Sequence, residues 1–257
     1  MILNGKETAI KLNHELQLKI QQDKKQFRPP HLAIILVGSH SASLSYIKGK
    51  LKAAESVGIK ATLHHFGDDV STLTVYDKIQ ELNQDDQVDG MILQLPLPKH
   101  LDEAYLTQAI DVTKDADGFH VLNQGLLYQG KSSVKPATPY GMTLLLNAYN
   151  IDVLGKHAVI VGRSNIVGFP IARLLMDLGA TITVCHSKTK DLSYHTKQAD
   201  ILVVSVGKSH LIDKNMIKKD AIILDVGINK VDGKLVGDVN FNDVVDHVSA
   251  ITPGPGE

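Results

Sequence analysis

Short apolar runs alternate along this chain with longer segments whose apolar residues recur at helical spacing. In the first half, the run at 31–38 (HLAIILVG) precedes a segment with apolar residues at 44, 47, 51, 54 and 57. In the second half, the run at 158–161 precedes a similar segment at 167–178. Buried strands that alternate with amphipathic helices are typical of a mostly parallel sheet covered by helices. The pattern therefore predicts an α/β fold.

The same periodicities place the remaining elements and divide the chain. Further helices are expected around 9–20, 72–83 and 139–149, and further strands at 59–66, 91–95, 181–184, 201–205 and 222–225. Asp232-Gly233 predicts a hairpin turn. The polar stretch at 111–135 is expected to cross between two α/β lobes, the second of which begins near residue 140. We find no internal repeat in the sequence.

The charge balance and the cysteine content exclude several classes of protein. The chain has 257 residues, 27 Lys and Arg against 28 Asp and Glu, and one cysteine. Without a basic excess, binding to nucleic acid or to an anionic membrane surface is not expected. The longest apolar run, at 32–37, is too short to span a bilayer, and the start of the chain does not resemble a signal peptide. We therefore expect a cytoplasmic protein that acts on small molecules.

In the second lobe, a glycine-bearing turn joins a predicted strand to a predicted helix. Gly162, Arg163, Ser164 and Gly168 form this turn, which matches the dinucleotide fingerprint G-x-G-x-x-G imperfectly, because Ser164 replaces the second glycine. The turn predicts a phosphate site at the start of the helix, and an ordinary strand-to-helix turn is the alternative.

The end of the next strand indicates which dinucleotide binds. NAD sites usually place an acid there for the ribose hydroxyls, but this strand is followed by His186-Ser187-Lys188. Ser187 and Arg163 could instead donate to a 2′-phosphate, which predicts NADP as the cofactor. The alternative is that Lys188 and Arg163 are merely solvated.

In the first lobe, three segments carry polar side chains that suit catalysis. Tyr46 and Lys50 share one face of a helix beside its apolar stripe, where a lysine can lose its charge and act as a base. Gln94 is the one polar residue at the end of the strand at 91–95, and Asp117 lies in an Asp-Gly turn. For Gln94 and Asp117 a plain turn role is the alternative, and for Lys50 the alternative is an ordinary solvated lysine on a helix.

The sequence does not predict a metal site. His64 and His65 are adjacent on a strand, so their side chains point to opposite faces, and no His and Cys cluster has ligand spacing. Cys185 lies on a buried strand and is expected to be a packing residue rather than a nucleophile.

Taken in order, the motifs resemble those of a known enzyme family. The succession runs Gly38-x4-Ser43-x2-Tyr46-x3-Lys50, Gln94-Leu-Pro-Leu-Pro98, Asp115-Ala-Asp-Gly-Phe119, Pro136-Ala-Thr-Pro139, Gly162-Arg-Ser-x-Ile-Val-Gly-x-Pro170, Cys185-His-Ser-Lys-Thr189, Asp225-Val-Gly-Ile-Asn229 and Thr252-Pro-Gly-Pro-Gly256. It is similar to the bifunctional methylenetetrahydrofolate dehydrogenase/methenyltetrahydrofolate cyclohydrolase family and covers essentially the whole chain.

The resemblance implies a folate-binding catalytic domain at 1–139 and a Rossmann-like NADP-binding domain at 140–251, with the active site in the cleft between the lobes. Residues 252–257 would begin a segment that returns to the first domain. Lys50 would be the catalytic lysine, flanked by Tyr46 and Gln94, and Asp117 would hold the pterin. Gly162, Arg163, Ser164, Ser187 and Ile228 would line the NADP site.

By the same resemblance, the activity would be NADP-dependent oxidation of 5,10-methylenetetrahydrofolate followed by hydrolysis to 10-formyltetrahydrofolate. A cytoplasmic homodimer that serves one-carbon metabolism and purine biosynthesis is implied. Three alternatives remain open at this point: a dehydrogenase that lacks the hydrolytic step, an NADP oxidoreductase for a small non-folate acid, and a non-catalytic nucleotide-sensing module.

Overall fold

A computed structural model describes residues 1–131 and 134–254, except for the side chains of residues 41 and 42. The chain forms two compact units. The N unit is Ala9–Val134, and the C unit combines Met1–Thr8 with the chain from Lys135 onward. Among the described helices, none is long and apolar enough to cross a membrane.

The N unit is built on a three-stranded parallel sheet of order β2-β1-β3. Its elements in chain order are α1 (Gly5–Asp23, which begins in the C unit's first segment), β1 (His31–Val37), α2 (Ser41–Val57), β2 (Lys60–Phe66), α3 (Thr72–Gln84), β3 (Gly90–Leu93), α4 (Glu103–Ala109) and α5 (Val121–Tyr128). Ile34 and Leu36 of β1 face α2, and their neighbours Ala33 and Ile35 pack in the core that includes α3 and α4. Because successive residues of a strand point to opposite faces, this continuous apolar run serves both.

The C unit is built on a five-stranded parallel sheet of order β10-β7-β6-β4-β5. Its elements are α6 (Ala137–Ala148), β4 (His157–Val161), α7 (Gly168–Asp177), β5 (Thr181–Cys185), α8 (Leu192–Thr196), β6 (Ile201–Val204), β7 (Ile222–Asp225), β8 (Asn229–Val231), β9 (Lys234–Val236), α9 (Phe241–Val244) and β10 (Ala250–Ile251), with a short 3-10 helix at Lys214–Met216. One apolar core joins the sheet to α6 and α7, and a second fills its other face. The expected α/β architecture with two parallel sheets is confirmed.

Several local expectations are confirmed by cap geometry. Gly58 ends α2 in the left-handed region (φ +88°), and the Ser71 hydroxyl accepts from the Thr74 N–H at the start of α3. Asp232 and Gly233, both at positive φ, join the antiparallel strands β8 and β9. The helix expected from residue 139 instead begins at Ala137, with Pro136 as its N-cap, because the Tyr140 N–H donates to the Pro136 carbonyl. Strand β3 ends at Leu93, before Gln94.

The division of the chain differs from the predicted boundary at residues 139 and 140. The C unit begins at Lys135, since all of α6 packs on α7 in one core. The first residues also belong to the C unit, because Leu3 is fully buried in that core and its N–H donates to the Ile251 carbonyl (2.8 Å). Thr252 bonds to Asp225 and so belongs to the C unit as well, while residues 255–257 of the expected return segment lie outside the described residues.

Each sheet is anchored at its amino edge by a histidine that opens the first strand of that sheet. In the N unit, the His31 N–H donates to the Asp89 carboxylate (2.7 Å), and the imidazole bonds to the Gln87 carbonyl (2.8 Å) and the Thr62 hydroxyl (3.0 Å). Because a carbonyl can only accept, Nδ1 carries a proton, and in the neutral ring Nε2 accepts from the threonine hydroxyl. The anchor ties together the starts of all three strands.

The C unit has the same anchor. The His157 N–H donates to the Asp200 carboxylate (2.9 Å), and the imidazole bonds to the Gln198 carbonyl (3.1 Å) and the Thr183 hydroxyl (2.9 Å). In both units, the threonine lies two residues beyond the histidine's strand partner, and the aspartate directly precedes the third strand.

Candidate active site

Lys50 and Gln94 meet beside the carboxyl edge of the N unit's sheet. Helix α2 brings Lys50 to the end of β3, where its ammonium donates to Gln94 Oε1 (3.0 Å). The Gln94 amide group is fixed in turn, because its Nε2 donates to the Leu95 carbonyl (2.7 Å) and its backbone N–H donates to the Ile35 carbonyl (2.9 Å). The lysine head is therefore held by a side chain whose own orientation is set by the backbone.

Tyr46 lies one turn before Lys50 on α2, on the same side of the helix. Its side chain is 50% exposed, whereas Ile47 next to it is buried in the core. An exposed aromatic ring beside the lysine offers a flat apolar face to a ligand ring.

Asp115 and Asp117 have different roles in the loop after β3. Asp115 is buried, and its carboxylate accepts from the Gly118 N–H, the His120 N–H and the Asn123 amide at 2.8–3.0 Å. The backbone on either side of Asp115 bonds to Met91 of β3, which fixes the loop on the sheet. Asp115 therefore shapes the loop, and Asp117 is carried at its rim.

The Asp117 carboxyl group is close enough to Lys50 for their charges to interact. Desolvation by burial raises the pKa of Asp117 to about 6, the positive charge of Lys50 opposes this rise, and the negative charge of Asp115 adds to it. A desolvated carboxylate beside a lysine suits a ligand that brings paired N–H donors. The N unit thus gathers all four candidates of the first lobe, Tyr46, Lys50, Gln94 and Asp117.

In the C unit, the predicted glycine turn lies where β4 meets α7. A Cβ atom at Gly168 would lie 2.4 Å from the Gly162 carbonyl oxygen, so a side chain could not fit where helix and turn meet. The Ser164 hydroxyl accepts from the Val167 and Gly168 N–H groups (3.1 and 3.3 Å), which caps the start of the helix. This close backbone approach at a helix start is the geometry that binds a pyrophosphate.

Arg163 and Ser187 follow neighbouring strands of the C unit. Strands β4 and β5 are paired along their whole length, and the Gly162 N–H donates to the Cys185 carbonyl (2.9 Å). Arg163 and Ser187 are both exposed just beyond these strand ends. The turn after β5 contains a histidine, a serine and a lysine and no acid. This donor set fits a 2′-phosphate and therefore NADP.

Ile228, the last predicted cofactor residue, follows β7 and is 50% exposed. All five residues predicted to line the cofactor site therefore follow strands of one parallel sheet, at its carboxyl edge. Ligands of open α/β sheets bind at this edge.

The residue-by-residue prediction missed two carboxylates at this edge, Asp225 and Asp238. Asp238 is fully buried. Asp225 accepts from the Gly227, Asp238 and Val239 N–H groups, and burial raises its pKa while these backbone bonds lower it. A signal was available in the sequence, since Asp225 ends an apolar strand two residues before Gly227, and Asp238 directly follows Gly237.

The remaining candidates from the sequence are Cys185 and a metal site. Cys185 is buried in the second core of the C unit, and burial raises the pKa of its thiol, as expected for a packing residue. Within residues 1–131 and 134–254, no group of three or more His, Cys, Asp or Glu side chains could hold a metal ion.

Two family descriptions match the chain. Residues 3–117 match the catalytic domain of tetrahydrofolate dehydrogenase/cyclohydrolase, and residues 136–257 match its NAD(P)-binding domain. Among curated proteins, the bifunctional protein FolD of Acholeplasma laidlawii is 50% identical over 99% of this chain and 91% of its own length. That of Mycoplasma mycoides is 47% identical over 100% of this chain and 90% of its own.

Solved structures agree over the whole chain. The bifunctional FolD methylenetetrahydrofolate dehydrogenase/cyclohydrolase of Campylobacter jejuni superimposes with a TM-score of 0.97 and is 45% identical, covering 100% of this chain and 92% of its own. The enzyme of Trypanosoma brucei, solved with NADP and an inhibitor, gives a TM-score of 0.95 at 30% identity, covering 100% and 91%. The chain therefore belongs to the tetrahydrofolate dehydrogenase/cyclohydrolase family.

Proposed function

We propose that this protein oxidises 5,10-methylenetetrahydrofolate with NADP and then hydrolyses the methenyl product to 10-formyltetrahydrofolate. The observation that carries the proposal is the hydrogen bond between Lys50 and Gln94, with Asp117 at the same strand end. The dehydrogenase step needs this site and the cofactor site of the C unit, whereas the hydrolytic step needs only the folate site.

In the N unit, Tyr46, Gln94 and Asp117 would line the substrate site. The Asp117 carboxylate can accept two parallel N–H bonds from the pterin ring, and the Tyr46 ring can lie against it. Gln94 accepts the 3.0 Å hydrogen bond from Lys50 and so holds the lysine's amino group in one position.

For hydrolysis, Lys50 would serve as both base and acid. In its neutral form the lysine takes a proton from the attacking water, and as an ammonium it returns a proton to the departing nitrogen. Gln94 supports both states, because its Oε1 can accept from either form of the lysine.

In the C unit, the residues fit NADP, which supplies the hydride acceptor when bound. The α7 start and the Gly162 turn would face the pyrophosphate, and Ile228 would line the site. Arg163 and Ser187 would donate to the 2′-phosphate, a group that NAD lacks.

Two separate activity assays on the purified protein test the proposal. With 5,10-methylenetetrahydrofolate and NADP, we expect NADPH to form, and with the methenyl compound supplied directly, we expect its absorbance to decay. Dehydrogenation without hydrolysis would support a dehydrogenase-only enzyme. Turnover of a small non-folate acid instead of the folate would support a non-folate oxidoreductase. Nucleotide binding without turnover would support a sensing module.

We also propose that the protein is a cytoplasmic homodimer that supplies one-carbon units for purine biosynthesis, as its family resemblance implies. Light scattering on the purified protein tests the dimer, which would be rejected if the protein remains a monomer at assay concentrations.

A further inference from the structure

Asp238 holds the loop after β6. Its Oδ2 accepts from the N–H groups of Val206 (2.7 Å) and Gly207 (3.0 Å), and its Oδ1 accepts from the N–H of Lys208 (2.7 Å) and the amide of Asn229 (2.9 Å). Successive backbone N–H groups of this kind form a concave anion site. Here the chain's own fully buried carboxylate occupies it.

Asp225 and Asp238 are interlocked through two glycines. A Cβ atom at Gly227 would lie 2.1 Å from the Asp238 carboxyl carbon, and one at Gly237 would lie 2.0 Å from Asp225 Oδ2. The Asp238 N–H also donates to Asp225 (3.2 Å). Each carboxylate thus packs against the glycine beside the other, and the segments 206–208, 227–229 and 237–239 are held together.

The interlocked pair supports two parts of the proposed cofactor site. Ser205, which directly precedes the loop held by Asp238, lies against the glycine turn, because a Cβ atom at Gly162 would be 2.5 Å from the Ser205 hydroxyl. Ile228 lies between Gly227, whose N–H donates to Asp225, and Asn229, whose amide donates to Asp238. A shift of the Asp238 carboxylate would therefore move both the backing of the Gly162 turn and Ile228.

We propose that Asp238, supported by Asp225, is a positioning residue for NADP binding, which acts by fixing the loop at 206–208 and Ile228 rather than by touching the cofactor. The inference rests on the proposed NADP-dependent function. A merely structural carboxylate would stabilise the C unit without changing the affinity of the folded protein for NADP.

The test is Asp238→Asn, studied at a temperature where circular dichroism shows the variant folded. The amide turns an N–H₂ group toward backbone N–H donors, so at least one charge-assisted bond is lost. We expect the calorimetric Kd for NADP and the KM for NADP to rise about 10-fold or more. The hydrolytic rate on directly supplied methenyl substrate should stay within about two-fold of wild type, since that step needs no cofactor.

Asp200→Asn is the matched control in the same unit. Asp200 also accepts from a backbone N–H (His157, 2.9 Å) and pairs with Lys218, but it lies at the amino edge of the sheet. The Asp200→Asn substitution should lower the melting temperature of the protein without changing its Kd for NADP. The proposal is overturned if folded Asp238→Asn binds NADP like wild type, or if Asp200→Asn weakens NADP equally.

A milder variant covers the case in which Asp238→Asn does not fold. Asn229→Ala removes one of the four donors and leaves the backbone bonds, so the Kd for NADP should rise by roughly 3-fold. An unchanged Kd in that variant also overturns the proposal. A wild-type protein that binds no NADP would instead refute the proposed function, and the inference with it.

Discussion

The N unit and the C unit begin the first strand of their sheets with the same arrangement of histidine, threonine and aspartate, but the loops at the opposite edges carry different side chains. At the amino edges, His31 and His157 make the same hydrogen bonds, and the lengths of corresponding bonds differ by at most 0.3 Å. The largest difference is between the imidazole-to-carbonyl distances of 2.8 and 3.1 Å. At the carboxyl edges, the N unit presents a lysine, an amide and a carboxylate, and the C unit presents a glycine turn with the exposed side chains of Arg163 and Ser187.

The comparison distinguishes the residues that stabilise each parallel sheet from the residues that bind its ligand. The amino-edge anchors join the strand starts through groups that are hydrogen-bonded within the unit. The carboxyl edge is where ligands of such sheets bind, and there the two units place side chains that suit different molecules. Substitutions at the two edges should therefore change different measured quantities, stability at one and substrate or cofactor handling at the other.

The largest effect is expected for Lys50→Met at the carboxyl edge of the N unit. Methionine keeps the length of the side chain but cannot exchange a proton, and a positioned acid–base group contributes about 100- to 10,000-fold to a rate. Hydrolysis of the methenyl substrate, followed by its absorbance, should fall by that factor while the Kd for NADP stays unchanged. Lys52→Met, an exposed lysine on the same helix, is the control, and hydrolysis near wild type in Lys50→Met would place the base elsewhere.

The next largest effect is expected for Arg163→Ala at the carboxyl edge of the C unit. Loss of a charge-assisted bond to the 2′-phosphate should raise the KM for NADP roughly 10- to 150-fold. Residual activity with NAD, which lacks that phosphate, should hardly change. Steady-state kinetics with both cofactors measure this, with the exposed Lys197→Ala as control. Equal weakening of both cofactors would show that Arg163 does not bind the phosphate.

Asp117 should make folate binding depend on pH. Its pKa of about 6 lies above that of a free aspartate, so the carboxylate that accepts the pterin N–H groups is lost as the pH falls through about 6. Folate affinity, measured by fluorescence titration, should therefore decrease below that pH. Asp117→Asn should lower the affinity at pH 7.5 by ~1–3 kcal/mol and abolish the pH dependence. An unchanged affinity in this variant would leave Asp117 as a turn residue only.

The smallest effect on activity is expected at the amino edges, in Thr62→Val and Thr183→Val. Each removes the hydroxyl that is hydrogen-bonded to a histidine Nε2 and keeps the shape of the side chain. Each should lower the free energy of unfolding by ~1–3 kcal/mol, by a similar amount in the two units, without changing any KM. Denaturant titrations compare them, and a large difference between the two variants would show that the anchors are not equivalent.

The sequence predicted most of the strands and helices because their signals are local. The run at 31–38 is mostly apolar because both faces of its strand are covered. Ser71 begins a helix because its hydroxyl accepts from a backbone N–H, and Gly58 ends one because it adopts a positive φ. The start of α6 was misplaced, because Thr138-Pro139 has the composition of a cap while the chain begins to turn at Pro136.

What could not be predicted depends on contacts between distant residues. Leu3 looks like any apolar residue near a chain start, and only its bond to Ile251 shows that it completes the C unit's core. The two anchors do not show as a repeat in the sequence, because their residues, such as His31 and Thr62, lie on separate strands. The site residues follow strand ends and were named from local motifs, but the Lys50–Gln94 bond and the Asp225–Asp238 pair required the fold.

The pairing of the chain's first residues with its last strand has a consequence for synthesis on the ribosome. The N unit, Ala9–Val134, can close its core as soon as its own stretch has emerged, because it needs no later residue. The C unit is completed later, because the Leu3 N–H donates to the carbonyl of Ile251, which lies on the far side of the N unit in the sequence. The bond between Leu3 and Ile251 can therefore form only after the whole stretch of the N unit has been synthesised, although Leu3 precedes that stretch in the chain.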